Sequence, residues 1–160
     1  MLDMTFAPAI QTSETARTLP RSGISAGTLV LTLHGAVPVE TLVTGDKVIT
    51  RAGARSIVAV EITTMHNASA IRICEGVLGK KRPEADLFVA PGQPILIRDW
   101  RAKAIVGLDQ AVMTAERLAD GAYIKAETVA DLRLVSLRFA TEQVIYAAGL
   151  EVGCEGAISA

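Results

Sequence analysis

The chain has 160 residues, 16 basic and 17 acidic side chains, and a formal net charge of −1. That length suits one domain, and the charge balance excludes the basic footprint that nucleic acid or an anionic membrane would need. At 50% hydrophobic residues the chain can build a core, whereas 4% aromatic residues supply few platforms for stacking bases or sugars.

In chain order, residues 1–22 are rich in Ser, Thr, Pro, Ala and Arg. They carry no basic segment followed by an apolar stretch, so they read as a flexible arm rather than a signal peptide. No apolar run reaches the ~18 residues of a membrane helix. The expected location is therefore cytoplasmic, with export by a route lacking such a signal left open. From residue 23 short apolar runs recur between turn residues: 27–33, 46–50, 55–62, 69–74, 86–90, 94–99, 103–108, 122–126, 132–139 and 143–149. Runs of this length, rich in Val, Ile, Leu and Thr, predict strands. In the run 132–139, Val135, Leu137 and Phe139 alternate with Leu134, Ser136 and Arg138, the period of a half-buried strand. Hairpin turns are expected at 34–36, at 51–54 and around Thr141. Helical spacing is confined to 38–43 and 113–120. The prediction is an all-β domain over 23–152 with two short helical turns, followed by a C-terminal tail over 153–160.

The two turns repeat each other. Glu40-x-Leu42-x-x-Gly45-x-x-Val48 recurs 76 positions later as Glu116-x-Leu118-x-x-Gly121-x-x-Ile124. Each copy offers one helical turn, a glycine where the chain leaves it with positive φ, and then a strand. Two similar β-subdomains related by a pseudo-two-fold axis are expected.

Residues 25–54, SAGTLVLTLHGAVPVETLVTGDKVITRAGA, resemble the opening of a Hint domain, the fold shared by hedgehog autoprocessing domains and inteins. The bacterial stand-alone Hint-domain proteins are the most similar branch. Gly27-Thr28, Val39, Leu42, Gly45-Asp46, Val48 and Thr50 match the family's "PGT" strand and its "V-x-x-L-x-x-G-D-x-V-x-T" segment. Residues 76–97 are similar to the segment ending "L-x-V-S-P-x-H-x-V-L", and 115–124 and 142–152 follow the family as well. The resemblance spans about 22–152. It implies a flattened β-horseshoe of two pseudo-symmetric halves, which the internal repeat fits.

It also implies a chemistry. In active Hint domains a Cys or Ser at the first position attacks the preceding carbonyl in an acyl shift. A Thr or Ser and a His in the middle block polarise that amide and protonate its nitrogen, which is a poor leaving group otherwise. Counting back from Gly27-Thr28, the nucleophile position here falls on Gly23. Ala90 stands where the family has Ser or Thr, Gln93 where it has His, and Glu142 where relatives often carry His. The expectation is a Hint-like domain that has lost self-cleavage and splicing and serves as a binding or scaffold module for a protein partner. The alternative is an autoprocessing domain in which Ser22 or Ser25 makes an N-to-O acyl shift that releases the N-terminal arm. An unrelated β-barrel holding a small ligand is a third reading, against which the scarcity of aromatic residues counts.

Other chemistry-bearing residues read as structural. His34, His66, Cys74 and Cys154 share no metal-ligand spacing, so neither a metal nor a cofactor is expected. One disulfide and a reduced pair of cysteines are both open, with a reducing compartment the plainer reading. Cys74 is expected to be buried, Cys154 to be an exposed thiol in the tail, His34 to sit in a hairpin turn and His66 in a loop over 65–69. Asp46 and Asp86 are expected to bond their own turns, and Lys80-Lys81-Arg82 to form a solvated loop tip. Trp100 is expected to pack on the stem of Arg101 or Lys103.

Overall fold

A computed structural model describes residues 20–156. The expected arm and tail lie outside the described residues except for 20–22 and 153–156. The chain forms β1 (Ile24–Ser25), β2 (Leu29–Thr32), β3 (Gly35–Pro38), a 3-10 turn (Val39–Thr41), β4 (Lys47–Thr50), β5 (Gly53–Ser56) and β6 (Ala59–Ile73). There follow β7 (Leu87–Val89), β8 (Pro94–Ile97), α1 (Trp100–Val106), β9 (Ala111–Thr114), α2 (Ala115–Leu118), β10 (Ile124–Arg138), β11 (Gln143–Ala147) and β12 (Leu150–Cys154).

The fold is all-β, as the spacing of apolar runs predicts. One sheet runs in the order β3-β2-β4-β11-β12-β8-β9, with β5 hydrogen-bonded to β4. The other is dominated by β6 and β10, which pair antiparallel from Ile73 opposite Ile124 to Ala59 opposite Arg138. The two-residue strand β1 pairs with both β10 and β7, and β7 with β6, so these four strands close on themselves. Two hairpin turns are built alike. Thr32 Oγ1 donates to Gly35 O at 2.7 Å and accepts His34 N–H at 3.0 Å; Thr50 Oγ1 does the same with Gly53 O at 2.6 Å and Ala52 N–H at 3.0 Å. A hydroxyl that satisfies both sides of a two-residue turn fixes the register of the strands it joins.

The internal repeat is structural. β3 and β9 lie 76 positions apart and each runs straight into its helical turn. Leu42 and Leu118 are buried beneath those turns, and Gly45 and Gly121 leave them at φ 99° and 81°. The backbone repeats as well. Val39 N–H donates to Thr28 O at 2.8 Å and Ala115 N–H to Gln93 O at 3.0 Å; Thr28 N–H donates to Ser25 O at 3.2 Å and Gln93 N–H to Ala90 O at 3.0 Å. The β1–β2 segment of one half thus corresponds to the β7–β8 segment of the other, and Thr28 to Gln93.

The halves differ where the first has the turn Leu33-His34 and the second has residues 98–110. Helix α1 lies there, over a run expected to be a strand at 103–108. Local capping decides the outcome. Asp99 at the N-cap accepts the Arg101 N–H at 3.0 Å, and Gly107, at φ 75°, closes the other end by donating to Lys103 O at 2.9 Å. Paired caps favour a short helix over an unpaired strand.

Val30, Val48, Ile73, Ile95, Ile124 and Ile145 are among the residues of the main core. A second cluster, Met65, Ala68, Ala70, Ala90, Leu132 and Leu134, fills the other side of the β6–β10 ribbon. Leu134 and Val135 are therefore both buried, and this part of β10 is covered on two faces rather than one. His66 lies within β6 opposite Asp131, not in a loop; the pairing with β10 carries the strand past Asn67 at φ 51°.

Candidate functional site

The fold brings Gly23, Ala90 and Gln93 together. Gly23 precedes β1, and Ala90 and Gln93 lie in the corresponding connection between β7 and β8. Gly23 N–H donates to Gln93 Oε1 at 2.8 Å, and Ala90 N–H donates to Gly23 O at 2.9 Å. Gln93 is only 3% exposed. Its Nε2 donates to Pro94 O at 2.9 Å and to Gly153 O at 2.8 Å, which leaves Oε1 as the atom facing Gly23. From the other side, Ser136 Oγ donates to Ser22 O at 2.7 Å. The Ser22–Gly23 peptide is thus gripped at both polar ends, oxygen by a hydroxyl and nitrogen by a side-chain carbonyl.

Space around this peptide is tight. Gly23 has φ 151°, and a Cβ placed on it would lie 3.2 Å from Leu134 Cβ and 3.3 Å from Ser136 Oγ. A Cβ on Gly92 would come within 2.5 Å of Arg21 O, so the chain entering the domain passes directly over that glycine. Ser22, Gln93, Ser136 and Cys154 line a cavity of about 10 Å³ beside the peptide, far below the ~300–1,000 Å³ of small-molecule sites. Ala90 is wholly buried in the second core cluster, so its position presents methyl and backbone only.

The remaining candidates are placed as follows. Ser25 Oγ accepts Phe88 N–H at 3.2 Å and lies 3.4 Å from Thr28 Oγ1, within the β1–β7 pairing. Ser22 is half-buried and enters the site through its carbonyl. Glu142 is exposed and lines a groove of about 480 Å³ with Arg51, Val112 and Cys154. Asp46 accepts Val43 N–H in its own turn. Asp86 pairs with Arg72 at 2.6 Å and accepts Glu75 N–H; the guanidinium, and then that N–H, hold its carboxyl below the usual range. His34 is exposed in the β2–β3 turn, and exposed His66 meets Asp131 at 2.7 Å. The guanidinium of Arg101, rather than its stem, covers the ring of exposed Trp100 at 4.6 Å from its centroid. Arg82 is not a solvated tip: it reaches buried Glu151 at 3.0 Å.

Cys154 corrects another expectation. Pairing in β12 runs on to Gln143 opposite Cys154, and Gly156 bridges Phe139, so ordered structure continues past residue 152. Both cysteines are free thiols, each partly buried. Burial, and secondarily Glu155, push the Cys154 thiol up to about 12. Because the thiolate is the nucleophile, iodoacetamide at pH 8 is expected to modify native Cys154 at least about tenfold more slowly than in unfolded chain. Peptide mass analysis reads the rates, and comparable labelling in both states would contradict the raised thiol.

Sequence reasoning did not reach Ser136, Gly92, Gly153 or Glu151. Ser136 carried a faint signal, being the one hydroxyl in the run 132–139 and flanked in the chain by apolar Val135 and Leu137. Among the described residues no helix is long and apolar enough to cross a membrane, and no group of His, Cys, Asp and Glu is arranged to hold a metal.

Comparison with known proteins assigns the family and the fold. A family model described as the Hint domain matches residues 23–156. The chain belongs to the Hint domain family. Its fold is similar to the solution structure of a bacterial intein-like domain from Clostridium thermocellum, with TM-score 0.58 and 17% identity over 84% of this chain and 98% of that one. It is also similar to the TvoVMA intein, with TM-score 0.58 and 12% identity over 82% and 96% of the two chains. A DnaB intein from Synechocystis sp. PCC 6803 gives TM-score 0.54 and 11% identity over 84% and 99%. No curated protein matches the chain by sequence.

Proposed function

We propose that this Hint domain does not cleave itself and works as a binding or scaffold module. One observation carries the reading: the nitrogen of the Ser22–Gly23 peptide donates to Gln93 Oε1, an acceptor, in a site without a nucleophilic side chain at residue 23. Acyl transfer needs a proton delivered to that nitrogen as it leaves. An amide oxygen offers none, and the bond it accepts stabilises the intact peptide. The hydroxyl on Ser22 O can polarise the carbonyl, but polarisation without attack leads nowhere. Ser25 is engaged in the strand pairing around β1, which supports a structural rather than a nucleophilic role.

Full-length protein followed by intact mass for several days is expected to stay uncut, with or without dithiothreitol or hydroxylamine. Release of a fragment ending at Arg21 or Ile24, abolished by Ser22→Ala or Ser25→Ala, would overturn the proposal and establish a displaced nucleophile.

A further inference from the structure

Away from the Ser22–Gly23 peptide, the charge gathered directly on Glu151 is unbalanced. Glu151 is 3% exposed, and its carboxylate gathers Arg82 on Oε1 at 3.0 Å and Arg51 and Arg98 on Oε2 at 2.9 and 2.8 Å. One negative charge thus faces three positive ones. The three arginine side chains remain 36–43% exposed. Each guanidinium has five N–H donors and directs one of them at Glu151, so most of its donors stay available.

Arg82 and Arg98 open, together with Lys80, onto a cavity of about 310 Å³. The one carboxylate in its lining, Asp99, is already held by Arg101 at 2.6 Å and caps α1. Leu78 and Leu96 form an apolar side.

We propose that this cavity binds a phosphate monoester dianion through Arg82, Arg98 and Lys80. Planar guanidinium forks match the oxygens of a phosphate, and the ammonium adds a compact charge. After Glu151 is counted, the positive excess is matched by two negative charges better than by one. The buried carboxylate also holds the arginines in place before a ligand arrives, so little ordering remains to oppose binding. The volume lies at the low end of small-molecule sites, room for one phosphoryl group and a short apolar body. The same group could come on a free phosphorylated molecule or on a phosphorylated side chain. The site is separate from the Ser22–Gly23 peptide, and its occupancy does not depend on whether that peptide is stable.

The test is calorimetric titration of the full chain with phenyl phosphate and with a phosphoserine tetrapeptide, at pH 7.5 and constant ionic strength set with sodium chloride. Saturable binding is expected, weakened at least tenfold by Lys80→Gln and by Arg98→Gln, with Lys103→Gln unchanged. Thermal unfolding of each variant checks that it is folded. Tighter binding of phenyl phosphate than of the peptide would assign the group to a free molecule, and the reverse order to a modified protein. Heats no larger than those of chloride, or affinities unaltered in both variants, would overturn the site.

Discussion

Glu151→Ala is expected to destabilise the domain by about 3 kcal/mol, whereas Arg51→Gln and Arg98→Gln, which share Oε2, should each cost less than about 1 kcal/mol and Arg82→Gln, which bares Oε1, about 1–2 kcal/mol. The asymmetry follows from burial. Glu151 is almost wholly enclosed, and its two oxygens are satisfied by three partners. Losing one arginine leaves the carboxylate with two. Losing the carboxylate removes the negative charge that holds the three guanidinium groups together and opens a void in β12 beneath them. Breaking a buried ion pair from one side typically costs ~3–5 kcal/mol. The lower end applies here because the arginines can turn toward water. Urea unfolding of the four variants makes the comparison, and equal losses for Glu151 and each arginine would contradict it.

Gln93→Met should cost roughly 3 kcal/mol or more, even though the side chain keeps nearly its volume. The substitution takes partners from Gly23 N–H, Pro94 O and Gly153 O at once. A buried polar group left without a partner costs about 1–3 kcal/mol, and a near-isosteric replacement leaves little void to confuse the reading. The same variant should raise hydrogen exchange at Gly23 before exchange rises across the long β6–β10 ribbon, because the Gln93 bond is that amide's anchor. A loss below about 1 kcal/mol with unchanged exchange at Gly23 would mean that the network adds nothing to the fold.

Much of the architecture was legible in the sequence where local chemistry sets it. The hairpins at Gly35 and Gly53 and the paired turns ending at Gly45 and Gly121 depend on residues adjacent in the chain. Helix α1 was not read from the sequence: the apolar run over 103–108 predicts a strand, and the caps at Asp99 and Gly107 outweigh it. His66 and Cys154 were misplaced for a different reason. Each lies on a strand held by a partner distant in sequence, and the turn-like composition around it gives way to that pairing. At the site, the approach of Gly23, Ala90 and Gln93 follows from the motif match. Ser136, Gly92 and Gly153 contribute a hydroxyl, a missing Cβ and a backbone oxygen, which acquire meaning only through the tertiary arrangement. Glu151 is the extreme case, an ordinary acidic residue in a strand until three remote arginines converge on it.

The close passage of Arg21 over Gly92 has a mechanical consequence. Tension applied upstream of Pro20 would enter the domain along the line Arg21-Ser22-Gly23, and the Ser136 and Gln93 hydrogen bonds would bear it before any sheet bond did. Behind them stands β1, anchored along both edges at Val89 and Val135. Cargo attached at this end would therefore hang from a reinforced seam in the middle of the four closed strands, not from a strand that could peel away at an edge.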